Sequence, residues 1–435
     1  MKLLGRRRRF TPVRIIACGF ASMIALGTLL LSLPIAQKPD AAVSVLDALF
    51  TATSAVCVTG LVAVDVADHF TVFGQTVVGI LIQIGGLGVT SIGLGLIALS
   101  GRRVRLQDQV LIKEALNSPN LKNILALIRT VLITTFSIEC IGAVGSFLVF
   151  RKQYTVWHAI GLSLFHSVAS FNNAGFDLLG GGQSLAAYRG NVPFLLLTSI
   201  LVIAGGIGFM VIRDLWQNHG RLLRCTLHTK VVLLMTVLLL AGGTVLLKCG
   251  DSSLNWLDAF FYSVSARTAG FATVPLAQFS SSATLVMLIL MFVGGSPGST
   301  AGGIKTTTLF VFLRTVFVYP SRKNITVFHR QLPKDVMEQA FVLVGMGACV
   351  VGGVSLLIGI LEPTLTLSQI LVEVVSAFGT VGLSTGVTGA LSAPAKLLLI
   401  GTMFIGRLGP WTVVSLWIQK TRCNVSLPEE RISIG

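Results

Sequence analysis

The hydrophobic pattern of the chain consists of apolar stretches that are each long enough to cross a lipid bilayer. A helix needs roughly 20 apolar residues to span about 30 Å of hydrocarbon. Eight stretches reach that length, at residues 12–33, 71–99, 124–150, 192–216, 227–248, 284–318, 337–361 and 395–418. The pattern therefore predicts eight membrane spans.

Shorter and more polar segments lie between the spans of each pair, at residues 43–60, 156–175, 254–270 and 367–382. They are too short to cross the membrane, and each predicts a short helix that ends in a loop at a glycine. Non-helical backbone is tolerated at membrane depth only where it is buried in protein or lines a cavity. We therefore expect a re-entrant pore helix and loop between the spans of each pair.

Each re-entrant segment ends in a similar motif, at residues 54–61, 169–176, 264–271 and 376–383. A fourfold internal repeat predicts one supersecondary unit repeated along the chain. The predicted fold is an all-α polytopic membrane protein, in which four tandem repeats of span, pore helix, filter loop and span surround a pseudo-fourfold pore. The repeats are expected at residues 1–100, 101–218, 219–320 and 321–420, followed by a cytoplasmic tail at 421–435.

The glycine motifs indicate a pathway for cations. Glycine among small residues lets the backbone turn its carbonyl groups to one side. Four such loops around an axis would form a ring of carbonyl oxygens that replaces the hydration shell of K+. The predicted filter residues, three from each repeat, are Val58, Thr59, Gly60, Asn173, Ala174, Gly175, Thr268, Ala269, Gly270, Thr380, Val381 and Gly382.

Composition and charge agree with a membrane protein and fix an orientation. The 435 residues are 53% hydrophobic and only 11% charged, which excludes a soluble globular fold. The net charge of +16 comes from Lys and Arg in the N-terminal segment, the connectors between repeats and the tail. By the positive-inside rule these segments face the cytoplasm, so we expect a multi-pass protein of the cell membrane with both termini inside. Without a soluble basic module, we expect contacts with membrane lipids and none with nucleic acid.

The loops on the filter side carry the opposite charge balance. Asp65, Asp68 and Asp177 belong to a set of acidic residues there that outnumbers the basic ones. Such a surface attracts cations. The outer mouth of the pathway should therefore concentrate them.

A glycine cluster lies in the middle of every second span, 24–30 residues after the filter glycine. In the first two copies, at residues 85–88 and 205–208, we interpret the cluster as close helix packing through small residues. The third copy contains too much Gly, Ser and Pro to remain helical, so it predicts a broken span with a mobile loop beneath the filter. We predict that this loop and a basic residue of the fourth repeat form a gate, made of Gly294, Gly295, Ser296, Pro297, Gly298, Ser299, Thr300, Ala301, Gly302, Gly303, Lys305 and Arg407.

With these features the chain resembles the Trk/Ktr/HKT superfamily of potassium transporters over nearly its whole length. The resemblance rests on four degenerate filter loops in one polypeptide, a Gly/Ser loop confined to the third repeat, and Arg407 in the fourth. Eight spans and a short basic N-terminus resemble the KtrB branch more than the TrkH branch.

The resemblance implies K+ uptake, assisted by Na+, and glycine at all four filter positions favours K+ over Na+. It also implies a homodimer that rests on a cytosolic RCK ring of the KtrA kind. Such a ring binds ATP/ADP or NAD, so a nucleotide would act on this chain only through its regulatory partner.

Three polar residues near the filter motifs, Arg267, Asn172 and Asn173, have two possible roles each. Arg267 lies three residues before Gly270, where a cation in the pore lining would repel K+. We expect its guanidinium to point behind the filter and to bind Glu373, because an unpaired charge at this depth is costly. Asn172 and Asn173 either point carbonyls at the ion or brace the loop.

Two basic residues accompany the predicted gate. Arg407 is expected to bind the Gly/Ser loop, with a structural brace as the alternative. Lys305 is expected either to extend toward the cytoplasmic surface or to donate, with Arg407, hydrogen bonds that hold the loop closed.

Other functions fit the sequence less well. A nucleotide-driven pump needs a phosphate-binding loop, but Ile304 separates Gly303 from Lys305 and no strand precedes the motif. A transporter of organic solutes normally has one or two unwound helices, whereas four equivalent loops favour a bare ion. An intramembrane enzyme would need paired acids or a Ser/His pair within the spans, which Glu139 alone does not supply. A weakly selective Na+/K+ channel or transporter remains the alternative.

Overall fold

The computed structural model describes residues 12–88, 124–318 and 325–415 of the chain. Several sequence-based predictions lie outside these ranges. They are the basic N-terminal segment, the second part of the span at 71–99, the basic connector around Arg102 and the tail at 421–435.

Within the described ranges most of the chain is helical, which confirms the predicted fold class. A two-residue antiparallel hairpin, β1 (Thr326–Val327) with β2 (Arg330–Gln331), is a small exception. Short 3-10 turns occur at Pro34–Ala36, Ala186–Tyr188, Leu222–Arg224, Leu276–Gln278 and Thr388–Ala390. The α-helices are α1 (Pro12–Leu31), α2 (Val45–Cys57), α3 (Val66–His69), α4 (Val72–Leu87), α5 (Ile124–Phe150), α6 (Val156–Phe171), α7 (Val192–Ile207), α8 (Phe209–Gln217), α9 (Leu227–Gly250), α10 (Trp256–Ser265), α11 (Ser281–Phe292), α12 (Thr306–Val318), α13 (Lys334–Leu361), α14 (Leu367–Gly379), α15 (Ala393–Leu408) and α16 (Pro410–Ser415).

The first span of every repeat is one long, continuous helix. Helices α1, α5, α9 and α13 are each long and apolar enough to cross a membrane, with segment hydropathies of 1.8–2.4. Only 17–39% of the residues in these segments are buried inside the protein. Their exposed apolar side chains therefore suit contact with lipid, and these helices form the outer layer.

The pore helices α2, α6, α10 and α14 form the inner layer. Side chains of Ser44, Asn255 and Thr366 cap three of them by accepting a backbone N–H of the first turn. Every residue of α2 from Phe50 to Cys57 is buried. Each pore helix ends three to five residues before its filter glycine, as the sequence predicted.

The second spans of repeats two and four are broken as well as that of repeat three, which corrects the prediction that only the third one is. Helix α4 ends at Gly88, α7 gives way to α8 at Gly208, and α15 gives way to α16 at Gly409. The backbone angle φ at these glycines is 83°, 99° and 87°, in a region that a right-handed helix cannot include. At Gly208 the two helices are bent by 92°. In the third repeat the break is longer and extends from the end of α11 to the start of α12.

Glycines near the ends of α4 and α7 confirm the predicted close packing, and Gly406 near the end of α15 packs in the same way. A methyl group on Gly85, Gly205 or Gly406 would overlap a backbone carbonyl oxygen near the end of the pore helix of the same repeat. The oxygens concerned belong to Val56, Phe171 and Phe378. These contacts hold each broken span directly against the base of its own filter segment.

Two ion pairs join neighbouring repeats. Lys396 at the start of α15 binds Asp47 at the start of α2, with a distance of 2.8 Å, and so links the fourth repeat to the first. Arg189 binds the buried Asp258 of α10, also at 2.8 Å, and links the second repeat to the third.

The packing at Gly205 leads to a stability prediction. Gly205→Ala should destabilise the protein by about 1–3 kcal/mol, because the added methyl forces the filter base and α7 apart. Gly242→Ala is the matched control, since a methyl at this position in α9 meets no atom within 4 Å. Thermal unfolding in detergent should show a lower midpoint for Gly205→Ala only. Equal midpoints for both variants would contradict the packing described here.

Candidate ion pathway

The four predicted filter segments meet in a closed ring. The Cβ direction of Gly60 faces the carbonyl oxygen of Ala174, and that of Gly175 faces the carbonyl oxygen of Ala269. Gly270 faces the carbonyl oxygen of Val381 in the same way, and Gly382 faces that of Thr59, which closes the circle. The chain order of the repeats is therefore their order around the ring, and each segment presents a carbonyl oxygen to its neighbour.

The backbone has the same unusual conformation in all four segments. Val58, Asn173, Thr268 and Thr380 have φ values of 51–75°, and the glycine two residues later has a φ of 66–94°. Positive φ is uncommon for residues other than glycine and is strained for a β-branched one. Its presence at equivalent positions indicates a conformation that the surrounding structure maintains.

The N–H groups of the filter segments bind back to their own pore helices. Thr59 donates to the carbonyl of Ser54, Ala174 to that of Ala169, and Val381 to that of Ser376, each at 2.8 Å. The N–H groups of Gly60 and Gly382 donate to the hydroxyls of Ser54 and Ser376 at 3.0 Å. With the donors occupied in this way, the carbonyl oxygens are the groups left to face the ring.

The ring lies in a buried and electronegative environment. Val58, Thr59, Asn173, Ala174, Thr268, Ala269, Thr380 and Val381 are all at most 1% exposed. The hydroxyls of Thr59 and Thr380 have no hydrogen-bond partner within the described part of the chain. The C-terminal ends of the four pore helices approach the ring and carry partial negative charge. This arrangement favours a cation.

Carboxylates add negative charge in the loops that follow the first two segments. Asp68 accepts from the N–H of Gly181 at 2.9 Å and Asp65 from that of Gly182 at 2.8 Å, so the two loops are joined. Burial raises the pKa of Asp177 to about 6, and the charges of Asp65 and Asp68 add to this effect. A cluster of carboxylates at this position favours the approach of cations.

The predicted gate loop, residues 294–305, packs at the base of the ring. It contacts residues of repeats two and four there. The N–H of Ser296 donates to the carbonyl of Gly206 at 3.0 Å, and the hydroxyl of Thr300 donates to that of Phe171 at 3.4 Å. Gly302 lies directly against the side chain of Thr380 in the fourth filter segment. The loop therefore touches the filter base of two repeats that are not its own.

Arg407 of repeat four connects this loop to repeat one. Its Nη1 donates to the carbonyl of Thr300, and its Nη2 donates to the carbonyls of Gly85 and, at 3.2 Å, Gly86 in α4. The geometry thus places Arg407 on the loop and gives it a bracing role between repeats as well. Sequence patterns alone do not identify the carbonyls of Gly85 and Gly86 as partners of Arg407. The only signal is that this glycine cluster and Arg407 occupy equivalent positions after the filter glycines of their repeats.

Of the two roles expected for Lys305, the structure has the side chain donating to the loop and not extending toward the cytoplasmic surface. Its Nζ donates to the carbonyl of Ala301 at 2.6 Å. Below the loop is a cavity of about 360 Å³, lined among others by Gly86, Ser299, Lys305 and Arg407. Lys305 stays here because two loop carbonyls lie within reach and satisfy its donors.

The expected pair between Arg267 and Glu373 is wrong. Both oxygens of Glu373 accept hydrogen bonds from its own repeat, namely from Ser384 and Thr385 on Oε1 and from Thr388 on Oε2. Arg267 is only 7% exposed, and its Nε has no partner within the described ranges. Loop residues that are close in sequence reach Glu373 at a smaller entropy cost than a side chain about a hundred residues away.

Asn172 and Asn173 brace the second filter segment. The Nδ2 of Asn172 donates to Glu139 of α5 at 3.0 Å. The Asn173 amide is satisfied when its nitrogen donates to the carbonyls of Ser170 and Val202 and its oxygen accepts from the Thr268 hydroxyl at 3.2 Å. The bond between Asn173 and Thr268 joins the filter segments of repeats two and three.

Comparison with known proteins agrees with a cation pathway built from four repeats. The sequence model of the TrkH family, described as a cation transport protein, matches residues 14–250 and 250–422. The chain is 39% identical to the potassium/sodium uptake protein NtpJ of Enterococcus hirae, over 99% of this chain and 98% of the relative. It is 37% identical to the Ktr system potassium uptake protein B of Bacillus subtilis, over 98% and 97%.

A solved structure supports the fold independently. The potassium transporter TrkH from Vibrio parahaemolyticus matches with a TM-score of 0.75 at 19% sequence identity, over 95% of this chain and 86% of that one. The fold and the ring define the class of protein as a multi-pass membrane transporter of cations. The chain belongs to the TrkH family of cation transport proteins, and it is not an enzyme.

Proposed function

We propose that the protein takes up K+ across the cell membrane, with both termini in the cytoplasm, through a filter formed by the four glycine segments. The proposal is supported by the closed ring of Gly60, Gly175, Gly270 and Gly382, in which each glycine lies against a backbone carbonyl oxygen of the next repeat. Carbonyl oxygens on a buried ring can replace the water molecules around a dehydrated K+. The names of two relatives that are 37–39% identical, both potassium uptake proteins, support the same ion.

In this proposal the Gly/Ser loop at residues 294–305 is the gate. It packs against the filter base and is held by hydrogen bonds from Arg407 and Lys305 to its own carbonyls. Charge-assisted hydrogen bonds contribute roughly 1–3 kcal/mol each. Breaking them would release the loop and open the path from the ring to the cavity below.

Regulation is proposed to come from a separate cytosolic ring of RCK subunits, with the transporter as a homodimer. One relative is named as protein B of a Ktr system, which supports a further subunit in that system. The RCK ring would bind ATP/ADP or NAD and act on the gate through the cytoplasmic ends of the broken spans. Na+ would assist K+ uptake, for which the name of the potassium/sodium relative is the support.

The name of the potassium/sodium uptake relative also supports a second candidate function, a weakly selective Na+/K+ transporter. The two candidates differ in how far Na+ competes with K+ at the filter. Glycine at all four filter positions favours the selective candidate, because no side chain from these positions enters the path.

Complementation in cells tests the proposed function directly. A bacterium that lacks K+ uptake should grow on low-K+ medium when it expresses this protein with an RCK partner, and less well with the protein alone. A tenfold excess of Na+ should leave growth intact if the filter is selective. Failure to grow, with both proteins present at the membrane, would count against K+ uptake.

The filter assignment predicts the effect of adding a side chain to the ring. Serine in place of Gly60, Gly175, Gly270 or Gly382 should lower the K+ preference over Na+ or raise the KM for K+, because its Cβ meets a neighbouring carbonyl. Gly386→Ser is the matched control, since this glycine also has a positive φ, 92°, but has open space around it. Competition of Na+ with radioactive Rb+ uptake measures the preference. Wild-type selectivity in all four ring variants would rule out the assignment.

The gate assignment predicts a gain of flux. Arg407→Ala, or deletion of residues 297–301, should raise K+ flux and weaken its dependence on the RCK partner while selectivity is retained. The reason is that the loop then loses its attachment to α4 and α15. Lys152→Ala, which removes an exposed cation, serves as the control. Flux into proteoliposomes measures the effect, and a folded loop-deleted protein with normal flux and regulation would refute it.

A further inference from the structure

An acidic residue in the middle of a membrane span is not part of the ring or the gate loop. Glu139 lies in α5, the first span of repeat two, 11 residues from the end of that helix at Phe150. It is 6% exposed. Ionisable side chains at this depth are costly and usually face a bundle interior or an ion pathway.

Glu139 is hydrogen-bonded by amide groups on both of its oxygens. Gln83 of α4 donates its Nε2 to Oε2 at 3.2 Å, and Asn172 donates its Nδ2 to Oε1 at 3.0 Å. The Nδ2 of Asn172 also lies 2.9 Å from the Oε1 of Gln83. Two N–H donors that point at two carboxyl oxygens suit an ionised carboxylate, which only accepts.

These amides satisfy the hydrogen bonds of the carboxylate without neutralising its charge. The two ion pairs formed within the described part of the chain are Arg189 with Asp258 and Lys396 with Asp47. Neither of them involves Glu139. When the carboxylate is ionised, its negative charge acts on the surroundings, where a low effective dielectric constant makes the effect stronger than in water.

The surroundings of this carboxylate include the pathway itself. Asn172 directly precedes the filter residues Asn173, Ala174 and Gly175, and its Oδ1 is buried without a partner in the described ranges, facing Gly86. The carbonyl of Gly86 is one of the acceptors of Arg407. The hydroxyl of Ser167 in the second pore helix also donates to the Glu139 backbone, at 2.6 Å. Glu139 thus lies behind the base of the second filter segment, next to the contact between α4 and the gate.

We propose that Glu139 is a further determinant of cation affinity in this protein. Its carboxylate, which forms no ion pair within the described part of the chain, attracts a monovalent cation to the inner side of the filter, and Asn172 holds the filter segment at a fixed distance from that charge. The inference rests on the proposed function, because it assumes that the ring carries K+.

Three variants change the charge while the shape is nearly kept. Glu139→Gln removes the charge. Gln83→Lys leaves Glu139 in place but offers it an ion-pair partner from the half-buried position 83. The double variant Asn172→Asp with Glu139→Gln returns a carboxylate to the same network. Glu338→Gln, which removes an exposed carboxylate from α13, is the matched control.

The readout is the KM and the maximal rate of K+ uptake into proteoliposomes. We expect Glu139→Gln and Gln83→Lys each to raise the KM about fivefold to tenfold with little change in the maximal rate, which corresponds to a charge acting over several ångströms in a protein interior. The double variant should recover most of the loss, and Glu338→Gln should match the wild type. Glu139→Asp, which keeps the charge, should stay within twofold of the wild type.

Each possible result for the KM of these variants either supports or refutes the proposed role of Glu139. If a folded Glu139→Gln or Gln83→Lys protein keeps the wild-type KM, the proposal is wrong. If Glu139→Asp raises the KM as much as Glu139→Gln, the residue acts through packing and the proposal is also wrong. Should Glu139→Gln not fold, Gln83→Lys carries the test. Absence of K+ uptake by the wild-type protein would instead refute the proposed function, so the two failures are distinguishable.

Discussion

The constraint on which this structure depends is that a bilayer offers no water to satisfy backbone groups. The four filter segments leave the helical path at membrane depth, so each N–H group must find a partner inside the protein. They find it by binding back to the pore helix of the same repeat, which uses the donors and leaves the carbonyl oxygens. The ring of carbonyl oxygens is therefore a consequence of how the donors are satisfied, and the proposed cation site depends on the same bonds.

The same constraint explains the broken second spans. Each span that breaks exposes backbone groups near the ring, and these groups bind the loop of the third repeat or the guanidinium of Arg407. The carbonyls of Gly205 and Gly206 accept from Thr300 and Ser296, while the N–H of Phe209 donates to Gly298. A single basic side chain satisfies carbonyls of α4 and of the loop at once. The loop at residues 294–305 and the ring are thus parts of one hydrogen-bonded structure.

Much of this arrangement could be predicted from the sequence, because its signals are local. Span length, capping residues such as Thr366 and the repeated glycine motifs depend on neighbouring residues, and the elements they predict are present. The breaks at Gly208 and Gly409 were missed because a glycine cluster in a span is also the signature of close packing, which occurs there too. The network of Gln83, Glu139 and Asn172 could not be foreseen, since its members are 33–89 residues apart and meet only through the fold.

The central claim is that a dehydrated monovalent cation binds on the axis of the ring formed by Thr59, Ala174, Ala269 and Val381. Crystals of the protein grown in Rb+ or Tl+ in place of K+ test it most directly, because both ions give strong anomalous scattering. The account predicts an anomalous peak on that axis, within about 3 Å of the four carbonyl oxygens. A ring without any peak, in crystals that hold the ion elsewhere along the pathway, would contradict it.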